Sequence, residues 1–303
     1  MIEVTELNAY PIKGCRGTSL QSMELDARGP AQDRRFMIVD AKGDFVTQRQ
    51  QPRLALVEPS WRPDALELRA PGMPDLSIPW EDDPSSRARA EVRVWRFQGE
   101  ALLVAEEVDA WLGEFLGVSC RLVACDPGME RVANPEWAKN PTPIGFPDGY
   151  PVLLISEASL EALNDEIRVG NPEAGPVTMN RFRPNLVVSG CDAFAEDDWV
   201  RIRVGEVELE VVKPCDRCRV TTVDPQTAER GQEPLVTLAR MRRSEQGLLF
   251  GQNCIPRGDG VLQRGSEVVI LEEGGLEKLP ASWRILPQAD EGEGNRTEEE
   301  KKE

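Results

Sequence analysis

The sequence of 303 residues contains no histidine. Histidine is the side chain whose ordinary pKa lies closest to neutral, and it is the commonest protein ligand for metal ions. A zinc site would need four nitrogen or sulfur ligands, so in this chain cysteines alone would have to supply them. Acid–base chemistry near neutral pH would likewise have to proceed without an imidazole.

The sequence also lacks an excess of positive charge and any long hydrophobic run. Asp and Glu number 53 against 36 Lys and Arg, which leaves a net charge of −17. A field of that sign repels nucleic acid and anionic lipid. No apolar run approaches the roughly 18 residues of a membrane span, and the N-terminus M-I-E-V-T-E-L lacks a basic and apolar leader. We therefore expect a cytoplasmic protein that binds neither nucleic acid nor membranes. No extended apolar stripe indicates an obligate dimer, so we expect a monomer.

Cysteine is present, but not in the pattern of a secreted protein. The chain has an odd number of cysteines, which a complete disulfide framework would not leave. A chain of this length can also bury a large core without covalent cross-links. Reduced thiols are the better interpretation of the seven residues Cys15, Cys120, Cys125, Cys191, Cys215, Cys218 and Cys254.

The pattern of short apolar segments predicts a mainly β protein with a few helices. Residues 4–12 and the hairpin at 35–49, with its turn at Gly43, begin a series of strands separated by Pro- and Gly-rich turns. The segment 106–116 has helical spacing. We expect a β-barrel-like domain over 1–120 and a second β-barrel domain over 121–275.

The second half alternates strands with two short helices. A strand at 151–155 is followed by a helix with Ser156 as its N-cap, and a hairpin is centred on Gly205. Residues 219–223, R-V-T-T-V, look like a strand, and 233–242 like a short helix. The acidic segment 288–303 is expected to be disordered.

The stretch K-P-C-D-R-C places Cys215 and Cys218 three residues apart. A zinc site would have to recruit Cys191 and Cys254, neither of which belongs to a second C-x-x-C pair. A disulfide-exchange dithiol usually opens a helix, whereas β-branched residues follow here. Two ordinary thiols, or one thiolate that binds a soft metal, remain open. Arg217 and Arg219 flank Cys218, and a neighbouring cation favours the thiolate.

Three further stretches carry cationic side chains that suit an anion. N-R-F-R-P-N places Arg181 and Arg183 on one side of a predicted extended segment, with Asn185 beside them. Y-P-I-K-G supplies Lys13 and, in Gly14, a close backbone approach. A salt-bridged surface strand is the alternative explanation of the first stretch.

The third stretch is D-R-R-F at 33–36, which contains Arg35, with T-Q-R-Q at 47–50 across the hairpin. Three arginines on one ribbon indicate either an anion site or a salt-bridged face.

Taken in order along the chain, the motifs resemble those of a known family. They are Y-P-I-K-G, D-R-R-F-M-I-V-D, F-V-T-Q-R-Q-Q-P-R-L, L-L-I-S-E-A-S-L, R-F-R-P-N-L-V-V-S-G-C, P-C-D-R-C and G-L-L-F-G-Q-N. The set resembles the MOSC proteins with an N-terminal β-barrel domain, in particular the amidoxime-reducing component and its bacterial counterparts. The resemblance covers residues 3–272.

The resemblance implies a molybdenum cofactor (Mo-molybdopterin) held between the two domains. Cys218 would be the thiolate ligand of the metal and would carry the catalytic role. The side chains that would hold the pterin and its phosphate are Lys13, Gly14, Arg35, Ser156, Arg181, Arg183 and Asn185.

The implied reaction is the reduction of amidoximes, hydroxylamines and N-hydroxylated bases. No cysteine follows Cys254, so we expect electrons from a separate protein of the ferredoxin, flavodoxin or cytochrome type with its reductase. Two alternatives are a sulfur-transfer protein that carries a persulfide on Cys218 and a carrier of the cofactor. This chain lacks a pyridoxal-phosphate desulfurase domain, so it would meet that pathway only indirectly.

Overall fold

The computed structural model describes residues 1–80 and 87–287. The predicted disordered tail at 288–303 lies outside the described residues. In the first half the strands are β1 (Ile2–Ala9), β2 (Thr18–Leu20), β3 (Ser22–Asp26), β4 (Gly29–Pro30), β5 (Phe36–Val39), β6 (Glu58–Trp61), β7 (Ala65–Arg69), β8 (Leu76–Pro79), β9 (Arg89–Val94), β10 (Phe97–Leu103) and β11 (Arg121–Ala124).

The second half continues with eight strands, and four α-helices lie along the described chain. The strands are β12 (Val152–Ser156), β13 (Leu186–Ser189), β14 (Trp199–Val204), β15 (Val207–Asp216), β16 (Arg243–Ser244), β17 (Gly247–Pro256), β18 (Gly260–Gln263) and β19 (Glu267–Glu273). The helices are α1 (Glu106–Leu116), α2 (Glu157–Gly170), α3 (Leu235–Met241) and α4 (Gly275–Lys278). Among these described helices, none combines the length and apolarity that crossing a bilayer requires.

A closed barrel of seven strands forms the centre of the second half. Its order is β12, β13, β1, β19, β14, β15 and β17, and β17 pairs back onto β12. Leu7, Leu154, Trp199 and Leu209 are fully or almost fully buried inside it. The mainly β class with barrel domains is thus confirmed.

Strand β1 comes from the start of the chain but belongs to this barrel. It pairs antiparallel with β13 on one side and with β19 on the other. Strand β3 likewise pairs with β18. A division of the chain at residue 120 therefore separates β1 from β13 and β19, and β3 from β18, and the domain limits remain a prediction.

The rest of the first half packs two small antiparallel sheets around α1. One sheet has the order β5, β11, β10, β9, and the other has β6, β7, β8. Helix α1 has the predicted bounds, and its predicted apolar face is buried: Val108, Trp111, Leu112, Phe115 and Leu116. Gly117, at φ +69°, ends the helix in the left-handed conformation that glycine favours.

The predicted strand–helix and hairpin units of the second half are confirmed. Ser156 caps α2, because its side-chain oxygen accepts a hydrogen bond from the N–H of Ser159 at 3.1 Å. Strands β14 and β15 form the hairpin around Gly205.

Two predicted extended segments are instead 3₁₀ turns. The segment Arg219–Thr222, predicted as a strand, is a 3₁₀ helix in which both threonine hydroxyls donate to carbonyls three residues earlier. These local bonds outweigh the preference of β-branched residues for strands. Met179–Arg181 is also 3₁₀, and Arg183 follows at φ +61°.

The predicted turn glycine, Gly43, allows a direct test of the packing between turn and sheet. Its φ is +81°, and an added Cβ would overlap the backbone carbonyl oxygen of Glu91 on β9. Gly72 has a similar φ of +78°, but a Cβ there would meet nothing within 4 Å.

We expect Gly72→Ala to lower the free energy of unfolding by about 1–2 kcal/mol, since only the left-handed backbone is penalised. Gly43→Ala should cost about 1–3 kcal/mol more, because the overlap forces the turn and β9 apart. Urea unfolding of the two variants measures both. Equal losses would show that the turn moves freely against β9.

Candidate functional site

A pocket lies where the barrel meets the small sheets of the first half, and residues from both line it. Five of the eight predicted site residues reach it: Lys13, Gly14, Arg183, Asn185 and Cys218. Arg181 lines an adjoining pocket that shares Arg183 with the first. The motifs at 10–14, 180–185 and 213–218, which are far apart in sequence, therefore meet in space.

Cys218 lies just beyond the end of a barrel strand. Strand β15 ends at Asp216, and Cys218 immediately precedes the 3₁₀ helix at Arg219–Thr222. All seven cysteines are described and free, and of these Cys218 alone is exposed. Cys215 is still part of β15 and is half-buried. The two thiols of the pair therefore have different environments and do not form a disulfide.

The cation beside the pair is directed at the half-buried thiol of Cys215. Arg217 donates through Nη1 to Cys215 Sγ at 2.9 Å and through Nη2 to the carbonyl of Phe182 at 2.6 Å. Burial raises the pKa of the Cys215 thiol, and the Arg217 charge opposes that rise. The sequence pattern associated Arg217 with Cys218, whereas the structure brings it to Cys215.

The cysteines do not form a zinc site. No group of three or more His, Cys, Asp or Glu side chains in residues 1–80 and 87–287 is placed to hold a metal ion. Cys254 is buried in the barrel core, and Cys191 packs at its edge. The zinc alternative, which needed both of them beside the pair, is therefore wrong.

Lys13 brings a buried ammonium group to the pocket. Its Nζ donates to the carbonyl of Phe146 at 3.0 Å and forms an ion pair with Asp148. Burial lowers the pKa of Lys13, and the charge of Asp148 opposes that change. Gly14, at φ +84°, turns the backbone beside it. The charge of Lys13 is thus mostly balanced within the protein.

A buried ion pair at the back of the pocket joins the two halves. Asp33 and Arg34 are linked at 2.7 Å, with side-chain exposures of 2% and 12%. Asp33 Oδ1 also accepts hydrogen bonds from the N–H of Tyr10 and from Asn185 Nδ2, both at 2.9 Å. One carboxylate is therefore bonded to the end of β1, to the 33–36 turn and to the start of β13.

Asn185 extends this network to a further strand. Its Oδ1 accepts from the N–H of Leu153 and from Arg34 Nη1, both at 3.1 Å, and its Nδ2 also donates to the carbonyl of Asn8 at 3.1 Å. All the polar atoms of the amide side chain are thus used by the protein. Asn185 lines the pocket mainly as a part of its frame.

Arg183 contributes a buried cation with an unused donor. Its guanidinium lies 4.2 Å from the ring centroid of Tyr10, and that of Arg34 lies 4.3 Å from the same centroid. Nη1 donates to the carbonyl of Cys15 at 2.5 Å, whereas the buried Nη2 has no hydrogen-bond partner among the described residues. Burial, with the nearby charge of Arg34, lowers the pKa of Arg183 to about 10. An anion placed here would satisfy both the charge and the donor.

The structure places the other three predicted residues away from this pocket. Arg181 pairs with Asp224 at 2.7 Å and has a buried Nε without a partner among the described residues. Arg35 pairs with Asp26 at 2.7 Å. Ser156 is fully buried as the cap of α2. Neither Arg35 nor Ser156 contacts the pocket.

Sequence reasoning did not name Arg34 or Trp95 as site residues, and it considered Arg217 only as a cation beside Cys218; all three line the pocket. The D-R-R-F motif contained a usable signal, but two adjacent arginines leave the backbone in different directions. Arg34 is held inward by its neighbour Asp33 and by Asn185, and Asn185 lies beside Arg34 only in the folded chain. Nothing in the sequence around Trp95 marked it as a pocket residue.

Comparisons with known proteins identify the two domains and the relatives of the chain. Residues 1–119 match the family model described as the MOSC N-terminal beta barrel domain, and residues 141–269 match the MOSC domain. The chain is 35% identical over 285 residues to mitochondrial amidoxime-reducing component 1 of Mus musculus, covering 88% of this chain and 82% of that protein. It is 38% identical over 249 residues to mitochondrial amidoxime reducing component 2 of Bos taurus, covering 79% and 72%.

The buried carboxylate makes a specific prediction about stability. Asp33→Ala should lower the free energy of unfolding by about 3–5 kcal/mol, because it leaves Arg34 buried and unpaired. Asp26→Ala is the matched control, since it removes the half-exposed partner of Arg35 and should cost less than about 1 kcal/mol. Urea unfolding measures both variants. A small loss for Asp33→Ala would mean that the halves are held together mainly by apolar packing.

The different environments of the cysteines predict their reactivity. Iodoacetamide at pH 8 should modify Cys218 well before the buried thiols in the folded, cofactor-free protein. Burial raises the pKa of Cys15 to about 12 and that of Cys120 to about 11, so both stay protonated and inaccessible. Peptide mass mapping over time gives the order. Modification of a buried thiol before Cys218 would contradict the described exposure.

Proposed function

Because the chain belongs to the family of the amidoxime-reducing components, with a MOSC N-terminal β-barrel domain and a MOSC domain, we propose that it is a molybdenum-cofactor-dependent oxidoreductase. Its substrates are N-hydroxylated compounds such as amidoximes, hydroxylamines and N-hydroxylated bases. The observation that carries the proposal is the pocket that brings the exposed thiol of Cys218 together with the buried, unsatisfied guanidinium of Arg183.

The donor set of the pocket fits the molybdenum cofactor. A soft metal requires a thiolate, and Cys218 is the accessible thiol at the pocket. A phosphate requires cationic forks, and two buried guanidinium nitrogens, Arg183 Nη2 and Arg217 Nε, have no partner among the described residues. The missing histidine is no obstacle, since the cofactor brings its own sulfur ligands.

In this proposal the residues of the chain bind and orient. Cys218 would be the metal ligand, while Arg183, with Lys13 and Gly14 on the other wall, would hold the phosphate end. Asn185 would fix the frame through its bonds to both halves. When bound, the cofactor supplies two-electron redox chemistry and an acceptor for the substrate oxygen.

The reaction balances with two electrons and two protons. The N–O bond of the substrate breaks, an N–H bond forms, and the oxygen leaves as water. The electrons come from a separate protein of the ferredoxin, flavodoxin or cytochrome type. A cytoplasmic location remains a prediction from the sequence, since the names of the relatives place them in mitochondria.

Three exposed arginines near Cys218 support docking of an acidic electron donor. Arg219 follows Cys218 directly, and Arg230 Nη2 donates to the carbonyl of Arg49, a residue of the pocket wall. Arg49, Arg219 and Arg230 are all exposed, and none of them forms an ion pair among the residues that the structure describes. Complementary charge at such a rim steers association with a partner.

The exposed thiol also permits the sulfur-transfer alternative, because a persulfide on Cys218 would be accessible from solvent. A third possibility is a carrier that binds the cofactor without turnover. The same experiment separates all three.

The test is molybdenum per protein by elemental mass spectrometry, after expression in a host that makes the cofactor. Wild type and the control Cys215→Ala should be near-stoichiometric, and Cys218→Ala should hold less metal or lose it on dialysis. Benzamidoxime reduction with an artificial reductant should disappear only in Cys218→Ala.

Full molybdenum and full turnover in Cys218→Ala would refute the ligand assignment. A wild type without molybdenum, but with a mass increase of about one sulfur atom on Cys218, would indicate sulfur transfer. Molybdenum that exchanges readily, without turnover, would indicate a carrier.

A further inference from the structure

Trp95 is held in a backbone conformation that its side chain does not favour. It is the first of two residues that connect β9 to β10, since Val94 and Phe97 are paired across the hairpin. Its φ is +56°. Two-residue hairpin turns of this kind normally place glycine, asparagine or aspartate at such a position, and a bulky residue there is an outlier.

Burial of the ring does not explain this outlier. Trp95 is 45% exposed, which is unusual for a side chain of this size held in a fixed place. Strain of this kind persists only where surrounding contacts enforce it, and it is concentrated at functional sites.

Three contacts fix the indole ring at the protein surface. The ring of Phe45 lies 5.1 Å from it, centroid to centroid, at an interplanar angle of 57°, and the guanidinium of Arg49 lies 4.8 Å from its centroid. The indole Nε1 donates to Asp148 Oδ1 at 3.0 Å. The ring is thus immobilised while much of its surface remains open.

The fixed ring lines the same pocket as Cys218. Its anchor Asp148 is also the ion-pair partner of Lys13, so Trp95 is connected directly to the polar wall of that pocket. The hairpin tip therefore places an open aromatic surface at the site that the proposed function assigns to the reaction.

We propose that Trp95 determines substrate specificity by stacking against planar aromatic N-hydroxylated substrates. An aryl amidoxime is conjugated and planar, so its ring can lie against the indole in an offset or edge-to-face arrangement while the N–OH group points into the pocket. A small aliphatic amidoxime lacks that ring and gains little from Trp95. This inference rests on the proposed function.

The test compares benzamidoxime with acetamidoxime on the molybdenum-loaded enzyme, using an artificial reductant so that donor docking plays no part. In Trp95→Gly the KM for benzamidoxime should rise about 5- to 10-fold, as expected for the loss of one aromatic contact. Its kcat and the KM for acetamidoxime should stay within about twofold. Trp95→Phe should restore most of the aromatic preference.

Three further measurements separate stacking from structural damage. Trp95→Gly should be at least as stable as wild type to urea, because glycine suits the positive φ. Its molybdenum content should be unchanged. Calorimetry should show weaker binding of benzamidine, the non-reducible product, by a similar factor. Arg96→Ala, at the second turn position, is the matched control and should leave all these values unchanged.

The outcomes distinguish this inference from the function on which it rests. If wild type reduces neither amidoxime, the proposed function fails. If it reduces both, and Trp95→Gly changes the two KM values equally or not at all, the stacking role is overturned. A Trp95→Phe variant as weak as Trp95→Gly would also overturn it, because the effect would then come from the hydrogen bond to Asp148.

Discussion

The buried ion pair between Asp33 and Arg34, completed by Asn185, is the interaction on which the pocket depends. Removing two charges from water is unfavourable unless their remaining polar atoms are satisfied. Here Asn8 and Tyr10 at the end of β1, and Leu153 on β12, supply backbone partners from two segments that are far apart in sequence. Those partners exist together only when both halves of the chain are in place. The network therefore ties the two walls of the pocket to one relative position.

The same network explains why Arg183 remains available. Tyr10 is fixed by its backbone bond to Asp33, and its ring then lies close to the guanidinium groups of both Arg34 and Arg183. Arg34 has a carboxylate partner, whereas Arg183 has only carbonyl and ring contacts. Two adjacent cations with one carboxylate between them leave a net positive charge at the back of the pocket. The chain as a whole is strongly negative, so this local positive charge would attract an anionic group to the back of the pocket.

Features that depend on local periodicity could be predicted from the sequence, and features that depend on distant partners could not. The helical spacing of α1 and the N-cap at Ser156 depend only on residues that are close in sequence, and both predictions are confirmed. Membership of β1 in the barrel depends on strands more than 170 residues away, which no local pattern records. The motifs of the site could be found in the sequence. That Arg34 and not Arg35 enters the pocket depends on its hydrogen bond to Asn185, which is distant in sequence. Arg217 likewise contacts Cys215 and not Cys218, because it directly follows the end of β15 at Asp216.

The position of β1 between β13 and β19 also bears on the order of folding as the chain is made. Strand β1 is synthesised before the other described strands, yet its second partner, β19, comes more than 250 residues later. Until then β1 has an unpaired edge of the kind that recruits other strands. Contacts of such long sequence separation also form slowly. The small sheets around α1 can assemble early, but the barrel cannot close until β19 has been synthesised. The pocket against the barrel is therefore among the last features to form, and a cofactor could be enclosed only at that stage.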